Sequence, residues 1–162
     1  MTKTMINDLP KRKTPVHYPP CDNGKKPVIV YVTVCTDKRK KILCGTAIHE
    51  LLLKAWSSAG SWLVGRYVVM PDHSHLFCSP AAVDSPALGK WVQYWKTLVS
   101  REWPKPDEQP IWQKSFWDTQ LRSCDRYKEK WNYVRNNPVR AGLCAKSEDW
   151  PLQGEINVLE WY

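Results

Sequence analysis

With 162 residues, 43% of them hydrophobic, the chain is long and apolar enough for one folded domain, which excludes wholesale disorder. No apolar run approaches the ~20 residues that span a bilayer, and residues 1–13 lack the apolar stretch of a secretory signal. We therefore expect a cytoplasmic protein with no membrane partner. The net charge of +8 indicates a polyanionic partner, because basic side chains release counterions from the phosphates they neutralise.

The basic residues and the cysteines have different distributions. Basic clusters occur at Lys11-Arg12-Lys13, Lys25-Lys26 and Lys38-Arg39-Lys40-Lys41. Charge alone is equally compatible with a basic protein that binds no nucleic acid, although some of the ten tryptophans could stack on unpaired bases. The six cysteines form no Cys-x-x-Cys pair, which favours reduced, mostly buried thiols over disulfides or a structural zinc site.

The first half of the chain predicts an arm, a strand and a helix. Residues 1–26 contain scattered prolines and basic residues, which indicates a flexible basic arm. Residues 28–34 are almost all β-branched or aromatic and predict a central strand. Residues 46–58 predict a helix, because Ile48, Leu51, Leu52 and Ala55 recur at helical spacing; Thr46 is its expected cap.

The remaining elements complete a mixed α+β pattern. Strands are predicted at 62–70 and 75–78, and the short break between them makes the two strands antiparallel neighbours. A helix at 88–103, a strand at 112–117 and a helix at 125–137, ended by Pro138, follow; the chain beyond Gly142 looks irregular. The first six elements match a βαββαβ unit with one antiparallel sheet and its helices on one face.

The strand that follows the break contains a His-x-His pair. Residues two apart on a strand point to the same face, so His73 and His75 would present two imidazoles side by side. Neutral imidazole is a common ligand of divalent metals. Alone, a bare His-x-His pair is a weak signal, and two unrelated polar residues near a strand end are the commoner alternative.

The last predicted helix contains a candidate nucleophile. Residues four apart share a helix face, so Glu129, Tyr133 and Asn137 would form one stripe. A tyrosine attacks phosphorus when a metal or nearby cations help it to lose its proton, and Asn137 could offer an amide oxygen as a third ligand. The commoner alternative is a half-buried tyrosine whose hydroxyl is simply hydrogen-bonded.

These segments together resemble a known family. Met70-Pro71-Asp72-His73-Ser74-His75-Leu76 is similar to the Met-Pro-Asn-His-Val-His-Leu motif of IS200/IS605-like single-tyrosine transposases. The stretch from Tyr133 to Leu143 resembles the Tyr-Ile-His-x-Asn-Pro-Val-Lys-x-Gly-Leu segment of their REP-associated branch. Ile111 to Asp118 resembles that branch's Trp-Gln-x-Gly-Phe-x-Asp stretch, and Asp149-Trp150-Pro151 falls where it often has Trp-Pro.

The resemblance implies an HUH nuclease on a ferredoxin-like (RRM-like) core, with an extra C-terminal helix that carries the nucleophile. It implies that His73, His75 and Asn137 hold Mg²⁺ or Mn²⁺ and that Tyr133 forms a 5′-phosphotyrosine link with single-stranded DNA beside REP-like hairpins. The protein would be a nucleoid-associated monomer or homodimer. Asp72 departs from the usual Asn and adds a carboxylate near the metal; Ser74 and Ser115 also depart from the pattern.

On this interpretation the nuclease domain spans 27–143, between the arm at 1–26 and a C-terminal tail at 144–162. Basic residues would contact the DNA backbone, and the candidates are Lys11, Arg12, Lys13, Lys38, Arg39, Lys40, Lys41, Arg135 and Arg140.

Other interpretations stay open. A non-catalytic RRM-like module would bind single-stranded nucleic acid by stacking bases on Tyr31, Trp62 and Tyr67. A zinc site could form from His73, His75 and Cys78. The His-x-His-x-Asp-His pattern of metallo-β-lactamases fails after His75.

Overall fold

A computed structural model describes residues 28–159, which form one antiparallel sheet. Its strands, in chain order, are β1 (Ile29–Cys35), β2 (Trp62–Met70), β3 (His73–Pro80), β4 (Trp117–Leu121) and β5 (Gln153–Glu155). Across the sheet the order is β4-β1-β3-β2-β5. The first four strands have the order of a ferredoxin-like βαββαβ core, which confirms the predicted fold class.

The four α-helices within residues 28–159 lie on both faces of this sheet. In chain order they are α1 (Thr46–Ser58), α2 (Leu88–Arg101), α3 (Cys124–Arg135) and the single turn α4 (Asn137–Arg140). The first two pack on one face, as the βαββαβ unit requires, and α3 covers the other. Side chains alternate along a strand, so consecutive residues of β1 and β3 contact different helices.

Most of the hydrophobic core lies between the sheet and the first two helices. Trp91 and Trp95 are fully buried on α2, and the Trp95 ring meets the edge of Trp56 from α1 with centroids 5.9 Å apart. Val99 completes the buried stripe; the predicted Leu98 is only half-buried. Such aromatic pairs contribute about 0.5–1.5 kcal/mol beyond the area they bury.

A smaller core holds α3 on the opposite face. Tyr127 and Val134 are buried against Phe77 of β3, with the Tyr127 and Phe77 rings 5.2 Å apart. Arg66 of β2 lies 5.2 Å from the ring of Trp131 and forms an ion pair with Glu155 of β5. These contacts fix the helix that carries Tyr133 above β1, β2 and β3.

Several local predictions are wrong because tertiary contacts decide them. Thr46 is the first residue of α1 rather than its cap; Gly45 is the cap, and no side chain caps that end. A strand was predicted at 112–117, but the strand in this region is β4 at Trp117–Leu121, which pairs with Ile29–Thr33 of β1. Trp112 forms only an isolated bridge with Thr36. β4 lies at the edge of the sheet, and apolar and polar residues alternate only weakly along it. Its strand conformation therefore depends on the hydrogen bonds with β1.

The C-terminal region also differs from expectation. The predicted long helix ends at Arg135, and Pro138 lies inside α4, where proline suits the first turn of a helix. The region beyond Gly142 contains β5, which pairs with β2 and extends the sheet. The division into arm, nuclease domain and tail stays a prediction, and the arm lies outside the described residues.

The cysteines are less buried than predicted. All five in the described residues are free thiols, but only Cys35 and Cys78 are buried, while Cys44 and Cys124 are exposed and Cys144 is intermediate.

None of the helices at 28–159 is long and apolar enough to cross a bilayer.

Lys96 is a buried cation in α2 and predicts a pH dependence of stability. Its Nζ donates to the carbonyl of Gln113 at 2.6 Å, and burial lowers its pKa from 10.5 to about 8. Between these values the unfolded chain holds more protons at this lysine than the folded chain does, so Lys96 by itself adds up to about 3 kcal/mol to the free energy of unfolding as the pH rises, while the buried thiol of Cys78, whose pKa burial raises, contributes in the opposite direction. Urea unfolding at pH 8 and 10.5 measures the Lys96 contribution as the difference in pH dependence between the unsubstituted protein and Lys96→Met; we expect the exposed-site control Lys90→Met to keep the pH dependence of the unsubstituted protein. Equal pH dependence in both variants would contradict the prediction.

Candidate active site

The turn between β2 and β3 places the two histidines. The backbone carbonyl of Pro71 accepts from the amide of Leu43 at 2.9 Å, and that of Asp72 accepts from the amide of Thr36 at 3.0 Å. β3 begins directly after this turn, with His73 opposite Cys35 of β1 and His75 opposite Thr33. As the strand pattern predicts, both histidines lie on one face of the sheet, and it is the face that α3 covers.

Three nitrogen atoms converge beside β3. The Nε2 atoms of His73 and His75 are 3.0 Å apart, with the rings nearly perpendicular. The amide nitrogen of Asn137 lies 2.9 Å from Nε2 of His75 and 3.4 Å from Nε2 of His73. The structure therefore brings together the three side chains that the family resemblance implies as metal ligands.

Asn137 reaches the histidines from the start of α4. The preceding residue, Asn136, has φ −88° and ψ 0°, which is close to helical geometry, so the chain keeps turning in the helical sense between α3 and α4. Tyr133 and Asn137 consequently lie one turn apart, as predicted, although they belong to two helices. The amide of Asn137 carries donors on one side and an acceptor oxygen on the other, so rotation about its last bond presents Oδ1 to the same point.

The outer nitrogen of His75 faces two hydroxyl groups. Its Nδ1 lies 2.7 Å from the hydroxyl of Tyr31 and 3.0 Å from that of Thr33. Burial, followed by the nearby charges of His73, Lys130 and other basic groups, holds the pKa of His75 well below its ordinary value. His75 is therefore a neutral imidazole at neutral pH, which is the form that binds metals.

The outer nitrogen of His73 faces a carboxylate. Nδ1 lies 2.7 Å from Oδ1 of Asp72, and Nε of Arg39 donates to Oδ2 of Asp72 at 3.0 Å. Burial raises the pKa of Asp72, but the hydrogen bonds from His73 and Arg39 outweigh it and lower the pKa to about 2. The Asp72 carboxylate thus lies at the Nδ1 edge of His73, not beside the converging nitrogens.

Tyr133 lies near the end of α3 on the same side of the sheet. Its side chain is 45% exposed, so solutes reach it. The guanidinium of Arg140 stacks 3.9 Å from the centre of its ring. Burial raises the pKa of Tyr31 to about 12, and the nearby Tyr133 contributes a smaller electrostatic part of that rise. Because Tyr31 contacts His75, these interactions link Tyr133 to the histidine pair.

The candidate DNA contacts are not one uniform surface. Lys38 and Lys41 are exposed, whereas Arg39 bonds Asp72 and Lys40 bonds the carbonyls of Glu108 and Pro110. Arg135 donates to the hydroxyl of Ser147, and Arg140 packs on Tyr133. Lys11, Arg12 and Lys13 lie outside the described residues.

The residues on which two alternatives depend do not form sites. Trp62 and Tyr67 are buried against α2 and α1, where their polar atoms bond Pro86 and His49, so they offer no base-stacking surface. Cys78 faces the opposite side of the sheet from His73 and His75, and its thiol donates to the carbonyl of Val30.

The donor set fits a six-coordinate divalent cation. No group of three His, Cys, Asp or Glu side chains in residues 28–159 is arranged to hold a metal ion. Two imidazoles and an amide oxygen supply three ligands of mixed nitrogen and oxygen type, which suits Mn²⁺ and leaves positions for water and phosphate oxygens.

The groups that support the histidines were not among the predicted site residues. Tyr31 and Thr33 alternate with the buried valines of β1, so strand parity places them on the His75 face, and this signal was available. Lys130, whose Nζ lies 5.1 Å from the ring centre of Tyr31, was not detectable because it depends on how α3 packs.

The chain is similar in sequence to two known proteins. The chain is 27% identical to the REP-associated tyrosine transposase of Escherichia coli over 55% of its length, and 30% identical to a protein of Haemophilus influenzae described as a candidate REP-associated tyrosine transposase over 57%. The matches span 52% and 62% of those relatives' own lengths. No protein-family model matches the chain.

Two solved structures share the fold. One is described as a REP-associated tyrosine transposase bound to a REP hairpin; it has a TM-score of 0.70 and 22% identity, over 85% of this chain and 79% of the other. The second, a candidate transposase of Deinococcus radiodurans, has a TM-score of 0.50 and 17% identity, over 74% of this chain and 97% of the other. The chain is thus similar in sequence to two proteins described as REP-associated tyrosine transposases, over part of their length, and it shares the fold of a solved one, in line with the resemblance of its motifs.

Proposed function

We propose that the protein is a metal-dependent endonuclease and strand transferase that cleaves single-stranded DNA beside REP-like hairpins through a 5′-phosphotyrosine intermediate. One observation carries the proposal. Nε2 of His73, Nε2 of His75 and the amide of Asn137 meet within 3.4 Å, and Asn137 lies one helical turn after Tyr133. A phosphate beside the three donors would then lie on the side of the sheet that also carries the exposed phenol of Tyr133.

The reaction assigns one role to each group. A divalent cation held by His73, His75 and Asn137 would withdraw negative charge from the scissile phosphate. Oη of Tyr133 attacks the phosphorus in line; the Oη–P bond forms, and the bond from phosphorus to the 3′ oxygen breaks. The phenol proton leaves to solvent, and the departing 3′ oxygen gains a proton. The link stores the phosphodiester energy, so the 3′-hydroxyl of another strand can reverse the step without a nucleotide cofactor.

Two cations are placed to assist the nucleophile. Arg140 lies 3.9 Å from the centre of the Tyr133 ring, and Lys130 lies 5.1 Å from the ring of Tyr31 beside it. Positive charge at these positions stabilises negative charge as it develops on the phenol oxygen and on the phosphate. Arg140, a predicted DNA-backbone contact, would on this proposal also assist the tyrosine.

The proposed substrate is a DNA hairpin. The solved structure of a related fold is bound to a REP hairpin, and this chain carries a net charge of +8. The exposed Lys38 and Lys41 lie on the loop that follows β1, next to the turn that holds Asp72. Basic residues there would contact the DNA backbone close to the cleaved phosphate, without specifying its base sequence.

The direct test uses single-stranded oligonucleotides that contain a REP-like palindrome, labelled at either end and incubated with Mn²⁺. We expect a covalent protein–DNA adduct that retains the 3′-end label, a free 3′-hydroxyl on the other fragment, and a loss of at least about 100-fold in cleavage when a chelator removes the cation. The same palindrome in a fully paired duplex is the control. Hairpin binding without cleavage in any divalent cation would refute the nuclease and leave a binding module.

A further inference from the structure

The carboxylate of Asp72 serves two donors at once. Oδ1 lies 2.7 Å from Nδ1 of His73, and Oδ2 accepts from Nε of Arg39 at 3.0 Å. A carboxylate only accepts hydrogen bonds, so Nδ1 of His73 carries a proton, and the tautomer with the proton on Nδ1 is the one that this contact favours. Its Nε2 then carries a lone pair, directed at His75 and Asn137.

Arg39 is held in place by unusual backbone geometry. The backbones of Lys38 and Arg39 are both in the left-handed region, with φ 53° and 55°, which residues other than glycine seldom adopt. Such conformations persist where the surroundings impose them. Here the amide of Arg39 bonds the carbonyl of Thr36, and the guanidinium donates to Sγ of Cys35 as well as to Asp72.

We propose that Asp72 and Arg39 form a tautomer lock on His73, in which the carboxylate keeps the ring proton on Nδ1 and Arg39 makes a carboxylate, rather than an asparagine amide, necessary at position 72. The inference rests on the proposed cation site, because its purpose is to keep Nε2 of His73 available as a ligand. It also accounts for the departure from the Asn of the motif that this segment resembles.

An asparagine could not satisfy both neighbours. Its amide has one acceptor oxygen, and Arg39 has no acceptor, so the oxygen would turn to Arg39 and the NH₂ group would face His73. That NH₂ donates to Nδ1 and drives the ring proton to Nε2, which blocks metal binding. Nη2 of Arg39, only 3.4 Å from Nδ1, favours the same unwanted tautomer once the carboxylate is gone.

His75 has no comparable lock. Its Nδ1 faces the hydroxyls of Tyr31 and Thr33, and a hydroxyl donates or accepts as required. The groups beside Nδ1 of His75 therefore do not fix the position of its proton, whereas Asp72 fixes that of His73. The lock thus acts on one ligand of the pair, and substitutions at position 72 should affect His73 selectively.

The test is nitrogen-15 NMR of histidine-labelled, metal-free protein at pH 8, with Mn²⁺ affinity measured by calorimetry. We expect His73 to be protonated at Nδ1 in the unsubstituted protein and at Nε2 in Asp72→Asn, with a 10- to 100-fold loss of Mn²⁺ affinity, roughly the range for outer-shell partners. In Asp72→Asn with Arg39→Ala, the amide oxygen is free to accept from Nδ1. We expect this double variant to regain both the tautomer and most of the affinity.

His49, which bonds Tyr67 on the other side of the sheet, is the internal control and should not change. An Asp72→Asn protein that keeps the Nδ1 proton and full affinity would overturn the lock, as would a double variant that recovers neither. The NMR measurement needs no DNA. A locked His73 in a protein that never nicks DNA would support the lock and refute the proposed function.

Discussion

Tyr133→Phe should reduce covalent adduct formation by at least about three orders of magnitude, because the phenyl ring has no oxygen with which to attack phosphorus. The ring itself remains and keeps its stacking contact with Arg140. We therefore expect hairpin affinity to stay within about twofold of the unsubstituted protein, since a surface hydroxyl contributes little to a charge-dominated interface. A denaturing gel with labelled hairpin measures the adduct, and fluorescence anisotropy measures the affinity.

Tyr94→Phe is the matched control for this experiment. Tyr94 is 52% exposed, close to the 45% of Tyr133, but it lies on α2, which packs on the other face of the sheet. The control variant should form adduct at the normal rate. Adduct in the Tyr133→Phe protein, or its loss in Tyr94→Phe alone, would show that another residue is the nucleophile.

His75→Ala should lower Mn²⁺ affinity by at least about 100-fold and reduce cleavage by a similar or larger factor, because one of three protein donors is lost. His75 is the central member of the cluster, with Nε2 at 3.0 Å from His73 and at 2.9 Å from Asn137. The substitution also leaves the hydroxyls of Tyr31 and Thr33 without their shared partner, so stability should fall by about 1–3 kcal/mol.

The loss of stability must be separated from the loss of metal. His49→Ala removes another histidine that bonds a tyrosine hydroxyl, at 2.8 Å, but on the other side of the sheet. We expect this variant to lower the melting temperature while Mn²⁺ affinity and cleavage stay normal. Calorimetry, thermal unfolding and the cleavage assay on both variants decide the matter. Normal cleavage by folded His75→Ala protein would refute the assigned role of the histidine pair.

Local patterns in the sequence determined most of the fold. The bounds of α1 and β2 coincide with those predicted, because apolar spacing in each segment matches the period of its own element. The two-residue break at Pro71 and Asp72 predicted the antiparallel pairing of β2 with β3. Strand alternation likewise predicted that His73 and His75 share a face. These are short-range properties, which neighbouring residues encode directly.

The elements that the sequence misplaced depend on partners distant along the chain. The polar β4 and the three-residue β5 lie at the two edges of the sheet, and each is a strand because β1 or β2 offers it unpaired backbone groups. Neither strand has the apolar alternation from which a strand is predicted. The end of α3 was also misplaced, because Pro138 starts a new helical turn there instead of ending the structure.

The candidate site divides in the same way. Motifs identified His73, His75, Tyr133 and Asn137 one by one, and strand and helix periods placed each on a face of its element. Only the packing of α3 and α4 on the histidine face brought Asn137 within 3.4 Å of both Nε2 atoms, across more than sixty residues of sequence. The pairing of Asp72 with Arg39 likewise depends on the left-handed turn after β1. The sequence does not show which partner a charged side chain will contact in the folded protein.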